Sequence, residues 1–154
     1  NTNIRQRIFL LFDELNVFKE DLYKSFLKNL DKNIEVDIYF HHFNPDVFGK
    51  LIYDSIGNYS QYIIMPANLK NTNQVIEQLP DDKVIILDQF HPELSKYAVI
   101  YQNFEKDIYS ALQKEVKLLK KYDKFIFVNS KSRQPRGLLD GFQKFCKDHH
   151  IDYD

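Results

Sequence analysis

The sequence predicts an α/β fold in which a parallel sheet carries helices on both faces. Short runs rich in β-branched and aromatic residues alternate with segments of helical periodicity, and this alternation is typical of parallel strands joined by helical crossovers. A chain of 154 residues, 44% of them hydrophobic, can also bury a substantial core. The six predicted strands are residues 7–12, 35–43, 62–67, 83–88, 97–102 and 124–129.

Five segments between or after these strands have the spacing of helices. The first carries apolar residues at every fourth position, and the second follows Asn44, which can cap a helix whose first turn holds Pro45. The other three helices are predicted near residues 73–79, 104–119 and 138–146. The apolar positions of the first helix are Phe18, Leu22, Phe26 and Leu30.

One link interrupts the alternation of strands and helices. Residues 88–97 contain Pro92 and have no helical period, which predicts two neighbouring strands without a helix between them. We place a domain boundary just after the second of these strands, near Gln102 and Asn103. Residues 1–102 then form an N-terminal lobe, and residues 103–154 form the start of a C-terminal lobe.

The composition of the chain indicates which binding partners and which cellular compartment to expect. Lys and Arg together number 21 against 22 for Asp and Glu, so this stretch has no basic surface that indicates nucleic-acid binding. The single cysteine, Cys146, excludes an internal disulfide and favours a reducing compartment such as the cytoplasm. No apolar run reaches the roughly 20 residues that cross a bilayer, and the start NTNIRQ lacks the hydrophobic region of a secretory signal.

The residues that follow the predicted strands are unusually polar. In open parallel sheets, ligands bind beyond the carboxyl ends of the strands, and carboxylates and amides there suit an uncharged, polyhydroxylated ligand covered by an aromatic ring. A sugar therefore fits better than a phosphate, although Asp and Asn also follow strands because they cap helices and form turns. These residues are Asp13, Glu14, Asn16, His41, His42, Pro66, Asn68, Asp88, Gln89, Gln102, Asn103, Asn129, Ser130 and Ser132.

Nucleotide-binding, phospho-acceptor and metal sites are disfavoured because the residues that they require are missing from the sequence. The four glycines form no phosphate-binding loop, and Met65-Pro66-Ala67 stand where a phospho-acceptor domain needs an aspartate. The histidine pairs lack the ligand spacing of a metal site, and Cys146 lies on an apolar helix face, which indicates a core residue. We therefore predict no catalytic residue, no metal and no cofactor.

Several stretches resemble a known superfamily. The order of elements together with VIILDQ, YAVIYQNFEKDIYSAL and GLLDGFQKFC is similar to the effector-binding domain of the lactose-repressor and ribose-binding-protein superfamily, which has the periplasmic-binding-protein type I fold. FLLFDELNVFKEDLY and YQNFEKDIYSAL resemble GntR-type bacterial transcriptional regulators that carry such a domain behind a winged-helix DNA-binding domain. The Asp88 and Asn103 positions and the Gly141-Phe142 pair recur across that superfamily.

The resemblance implies a cytoplasmic sensor and not an enzyme. A small sugar would bind between two lobes and, in a homodimer, change the spacing of two DNA-binding heads on the operator. The alternatives are a solute-binding protein that delivers a sugar to a transporter and an isolated enzyme of flavodoxin-like shape. The second is disfavoured because no glycine-rich or acid-base site is evident.

The resemblance also assigns roles to individual residues. Asp13 and Asn16 would line the pocket, and Phe18 would lie against the sugar ring. Asp88 would accept hydrogen bonds from hydroxyl groups, while Gln102 and Asn103 would lie at the first crossover between the lobes. The family's second-lobe arginine is replaced by Leu138 in this chain, so Arg136, or else Arg133, would grip the ligand.

Relatives have about five strands in the second lobe, in line with ordinary domain size, whereas residues 103–154 predict one strand. We therefore expect a fragment, with the DNA-binding domain before Asn1 missing. We also expect the sixth strand to be covered by joining the first sheet or by pairing with another copy.

Overall fold

The computed structural model describes residues 5–131 and 133–154, so Ser132 lies outside the described residues. The chain divides into two compact units, the first ending at Tyr101 and the second beginning at Gln102. The strands are β1 (Gln6–Phe12), β2 (Ile34–Phe40), β3 (Gln61–Ile64), β4 (Val84–Asp88), β5 (Ala98–Tyr101), β6 (Lys124–Phe125) and β7 (Asp152–Tyr153). The helices are α1 (Val17–Lys28), α2 (Pro45–Ser55), α3 (Thr72–Ile76), α4 (Phe104–Lys114), α5 (Val116–Leu119) and α6 (Arg136–Asp148).

The first unit is built on a five-stranded sheet in the order β2-β1-β3-β4-β5. Every neighbouring pair in this sheet is parallel, which confirms the predicted α/β class. Strand β1, which lies between β2 and β3, aligns Phe12 with Phe40 of β2 and Leu11 with Ile64 of β3. Consequently the carboxyl ends of β1, β2 and β3 lie side by side.

Alternate side chains of β1 enter two separate apolar layers, because successive residues of a strand point to opposite faces. Phe9 and Leu11 belong to a core that includes Phe48 and Ile52 of α2. The even-numbered residues Ile8, Leu10 and Phe12 belong to a second core against which Tyr23, Phe26 and Leu30 pack. Helices therefore cover both faces, as predicted.

The first half of the predicted α1 face is not packed. Phe26 and Leu30 contact the core as expected, but Phe18 and Leu22 are exposed. Periodicity alone assigned all four residues to one buried stripe. The structure restricts the packed residues to the later turns of α1 and to Leu30, which follows the helix.

The link between β4 and β5 contains only a 3₁₀ turn at Pro92–Leu94, so the predicted absence of a helix is confirmed. Leu94 and Tyr97 anchor this link in the core shared with α2. Their burial explains how a short connection can return the chain to a parallel neighbour.

The second unit packs α4, α5 and α6 around one apolar cluster. Phe142, Phe145 and Cys146 are buried at its centre, and Ile108 and Leu119 pack against it. The single helix predicted over residues 104–119 is interrupted at Glu115, which separates α4 from α5. Both pieces contribute to the cluster, so the predicted apolar face persists across the break.

The sixth strand does not join the first sheet, so that expectation was wrong, while pairing with another copy stays a prediction. β6 is only Lys124–Phe125, and it pairs in parallel with β7, from the same unit. Further backbone hydrogen bonds join Phe127 N to Asp154 O (2.9 Å) and Asp154 N to Phe125 O (3.0 Å). Phe127 also stacks on Phe142, so its own unit supplies the partner.

Within residues 5–131 and 133–154, no helix combines the length and the apolar character required to span a membrane.

Candidate functional site

The carboxyl edge of the first sheet brings polar groups from separate strands together. We use "carboxyl edge" for the residues that follow β1, β2 and β3, namely residues 13–16, 41–43 and 65–68, together with the last residue of β4 and the one after it, residues 88–89. Asp13 follows β1, and the backbone N–H of His42 donates to its carbonyl oxygen at 2.7 Å. The hydrogen-bond ladder of β1 and β2 thus extends into the edge.

A buried ion pair lies at the centre of this edge. The Nζ atom of Lys19 donates to Oδ1 of Asp13 at 2.9 Å, and the two residues are only 7% and 4% exposed. The backbone N–H of Glu14 donates to the same oxygen at 2.6 Å. Asp13 is therefore already engaged by the protein and cannot act as a free hydroxyl acceptor through that oxygen.

Lys19 was missed by sequence reasoning. It lies in the segment FKEDLYK, where a lysine at the start of an amphipathic helix is normally a solvated residue. The number of residues between Asp13 and Lys19 did not predict an ion pair, because the conformation of the intervening loop sets the distance between the two charged groups. Only the fold reveals this pair.

Asn16 and Phe18 occupy the start of α1. The Oδ1 atom of Asn16 accepts the backbone N–H of Lys19 at 2.9 Å, so Asn16 is the N-cap of the helix. Phe18 is 57% exposed, and its ring centroid lies 5.8 Å from the Lys19 ammonium. An exposed aromatic face beside buried charges is suited to covering the C–H surface of a polar ligand.

Asp88 ends β4 and joins the same electrostatic cluster. Burial raises the pKa of its carboxyl above the ordinary value, while the Lys19 ammonium lowers that pKa and the Asp13 charge raises it. Its backbone φ is 81°, in the left-handed region. Asp88 therefore lies within the electrostatic influence of the Lys19–Asp13 pair.

His41 fastens the ends of β2 and β3 together. It is fully buried; its Nε2 atom lies 2.8 Å from the carbonyl oxygen of Met65, and the backbone N–H of Phe43 donates to its Nδ1 at 3.1 Å. A carbonyl only accepts and an N–H only donates, so the ring must be neutral, with its proton on Nε2. His41 is thus a structural residue of the edge.

We expect the burial of His41 to make folding sensitive to mild acid. Burial lowers the pKa of His41 below its ordinary value, so the unfolded chain binds a proton first and stability falls as pH drops below about 6.5. Urea unfolding between pH 7.5 and 5.5 should show this loss, with a smaller slope in His41→Gln. His91, whose pKa burial also lowers, should supply part of the remaining slope. A wild-type slope in His41→Gln contradicts this assignment.

The backbone is strained at the carboxyl edge. His42, Phe43, Ala67 and Asp88 all have positive φ, at 52°, 58°, 54° and 81°. This conformation is unfavourable for residues other than glycine, and such residues concentrate at ligand sites. The sequence predicted that the second strand extends to residue 43. The positive φ angles of His42 and Phe43 explain why β2 ends at Phe40 instead.

In the second unit, the predicted site residues have local partners. Gln102 Nε2 donates to Asp107 at 2.9 Å, and Asn103 caps α4 by accepting the backbone N–H of Lys106 at 3.1 Å. Asn103 also borders an open depression of about 300 Å³. Arg136 begins α6, is exposed, and lies 3.8 Å from Asp140.

No group of three or more metal-ligating side chains occurs within the part of the chain that the structure describes. Cys146 is buried in the apolar cluster, where burial raises the pKa of its thiol. A thiol in that setting is unreactive, which agrees with its predicted place in the core.

No family model and no curated protein matches the chain, but solved structures share its fold. The trehalose repressor from Escherichia coli superposes with a TM-score of 0.71 at 12% identity, over 97% of this chain and 58% of that one. A periplasmic sugar-binding protein of an ABC sugar transporter from Legionella pneumophila gives 0.72 at 11%, over 97% and 59%. A LacI-family transcriptional regulator from Lactobacillus casei with bound sucrose gives 0.72 at 14%, over 97% and 56%.

The chain thus spans somewhat more than half the length of the structures it matches. Two of these three proteins are transcriptional regulators by name, one of them of the LacI family, and the third is a sugar-binding protein. At such low identity the likeness concerns the fold. The chain has the α/β fold of the periplasmic-binding-protein type I class.

Proposed function

We propose that this chain is part of the ligand-sensing region of a bacterial transcriptional regulator that binds a small, uncharged carbohydrate. The observation that carries the proposal is the carboxyl edge, where Asp13 pairs with Lys19 and the Lys19 ammonium lies 5.8 Å from the centre of the exposed Phe18 ring. Asn16 caps the same helix, and Asp88 lies within the electrostatic influence of Lys19 and Asp13. Acceptors, an amide and an aromatic face form the set that a sugar requires. Fold neighbours with bound sucrose and glucose support this choice of ligand class.

In this proposal the first unit is the N-terminal lobe of a two-lobed clamp, and the second is the start of its partner lobe. Gln102 and Asn103 lie at the first crossover, and Arg136 contributes from the second lobe. Sugar binding changes the balance between open and closed forms, which alters operator binding by a homodimer in the cytoplasm. DNA contact is made by a winged-helix domain, and the chain catalyses no reaction.

The finer assignment to GntR-type regulators rests on the sequence resemblance of residues 9–23 and 101–112. The solved neighbours that carry a family name are LacI regulators, so a sugar sensor of either DNA-binding type is compatible with the fold. A transporter-linked sugar-binding protein is the second proposal, favoured by the neighbour from Legionella pneumophila. A secretory signal encoded upstream would select that alternative.

The charge of the edge predicts which sugars bind. The edge carries three carboxyl groups, those of Asp13, Glu14 and Asp88, and the Lys19 ammonium pairs with the first of them. A phosphorylated sugar should therefore be repelled. A thermal-shift panel should show a higher unfolding midpoint with at least one of glucose, sucrose and lactose, because a ligand that prefers the native state stabilises it. Glucose 6-phosphate should give no shift.

Asn16→Asp provides a matched variant for this panel. Aspartate retains the oxygen that caps α1 but removes the amide donor, so the midpoint without sugar should stay the same while the sugar-induced shift decreases. If no uncharged sugar raises the midpoint of the wild-type chain, the proposed function is wrong. A shift with glucose 6-phosphate alone contradicts the charge argument.

A further inference from the structure

A pair of exposed aromatic rings lies where β4 and β5 end. The rings of Phe90 and Tyr101 contact each other, with their centroids 5.9 Å apart and their planes inclined at 52°. Each of the two residues is 54% exposed. Phe90 lies in the link that follows β4, and Tyr101 is the last residue of β5, so both belong to the first unit. Aromatic rings that are held against each other and left open to solvent are typical of a binding surface.

The aromatic pair borders Asp88. The register of the sheet aligns Asp88 of β4 with Tyr101 of β5, and such partners on neighbouring strands lie about 5 Å apart. Ile86 and Val99, each two residues earlier on its strand, contribute to the same apolar core, so Asp88 and Tyr101 belong to the same face of the sheet. The chain leaves β4 at Asp88 with a φ of 81°, and two residues later Phe90 meets the Tyr101 ring.

The pair and the exposed ring of Phe18 lie toward different ends of the carboxyl edge. Phe18 follows β1, and β3 and β4 separate β1 from β5. Three strand spacings therefore lie between the ends of β1 and β5, a distance of about 14 Å. One sugar ring is too small to contact aromatic side chains at both places, whereas two linked rings reach both.

We propose that Phe90 and Tyr101 form a second aromatic subsite of the carboxyl edge, and that the edge therefore takes a disaccharide. This inference rests on the proposed function of the edge. Phe18 covers the C–H surface of one sugar ring, and the Phe90–Tyr101 pair covers that of the other. Asp88 accepts a hydrogen bond from a hydroxyl group of the ring at the pair, and the Tyr101 hydroxyl adds a donor and an acceptor there.

Titration calorimetry of the whole chain tests the ligand class. The probes are glucose and four disaccharides that contain a glucose unit: sucrose, lactose, maltose and trehalose. At least one disaccharide should bind about three- to tenfold more tightly than glucose, because an aromatic surface covers its second ring. If glucose binds as tightly as every disaccharide, the second subsite is overturned while the sugar-sensing function stands. If no sugar binds, both fail.

Variants of the pair test the assigned residues. Phe90→Leu and Tyr101→Leu each keep an apolar side chain but remove the ring, so they should bind the tightest disaccharide about three- to tenfold more weakly than the wild type. Tyr53→Leu is the control, because it removes a 67% exposed tyrosine from α2, and it should bind like the wild type. The aromatic NMR signals of Phe90 and Tyr101 should also shift when the disaccharide is added. Wild-type affinity in both Phe90→Leu and Tyr101→Leu overturns the subsite.

Discussion

Lys19→Met should lower the free energy of unfolding by about 3–5 kcal/mol, the usual cost of breaking a buried ion pair from one side. The variant leaves the Asp13 carboxylate buried beside an apolar side chain, while the backbone N–H of Glu14 still donates to it. Burial of a charge without its counter-charge is among the few single changes that destabilise a domain this strongly. Urea denaturation followed by circular dichroism measures the effect.

A double-mutant cycle separates the ion pair from simple packing. Asp13→Asn/Lys19→Met removes both charges and should recover much of the lost stability, because neutral replacement of a buried pair is often tolerated. Lys24 provides the control, since it forms an exposed pair with Glu20 at 2.8 Å, and exposed pairs contribute little. A loss in Lys19→Met no larger than that in Lys24→Met would show that the buried pair does not stabilise the fold.

Gly141→Ala should destabilise the second unit by about 1–3 kcal/mol, as overpacking of a close helix contact does. A Cβ atom at Gly141 would clash with the carbonyl oxygen of Glu105 and with Cγ2 of Ile108, both on α4. The backbone of α4 cannot move aside like a flexible side chain. Separation of α4 from α6 would also loosen the apolar cluster around Phe142.

Gly49→Ala is the matched control for this substitution. Gly49 lies in α2, and a Cβ atom at this position would meet no neighbouring atom within 4 Å. Alanine favours a helix over glycine by about 0.5–1 kcal/mol, so this variant should be slightly more stable than the wild type. Denaturant unfolding of both variants gives the comparison. Equal stability of Gly141→Ala and Gly49→Ala would contradict the close-packing explanation.

Gly141 and Lys19 show which structural features of this protein can be predicted from sequence patterns and which cannot. The Gly141-Phe142 pair was noted in the sequence through its resemblance to a superfamily, and the structure supplies its physical cause, the close approach of α6 to Glu105 on α4. Lys19 had no such signal. An isolated lysine in a helix is compatible with a solvated face, and its burial depends on a loop conformation that periodicity does not describe.

Asn16 and Asn103 illustrate a different limit. Their position after strands predicted both a capping role and a ligand-binding role, and the structure shows the caps, with bonds of 2.9 Å and 3.1 Å to backbone N–H groups. A cap uses the amide oxygen and not the amide nitrogen, so capping does not preclude a ligand contact. The assignment of seven residues to a sugar site stays a prediction: Asp13, Asn16, Phe18, Asp88, Gln102, Asn103 and Arg136.

The sequence alone was sufficient to predict the α/β class, the parallel sheet with helices on both faces and the helix-free link before β5. These features follow from local periodicity and from the burial of apolar residues. Tertiary structure alone decided which polar groups meet at the carboxyl edge. It paired Lys19 with Asp13, placed Asp88 within their electrostatic reach and gave β6 its partner β7. Such contacts join residues through loop geometry and strand order, and neither is encoded in the spacing of residues along the chain.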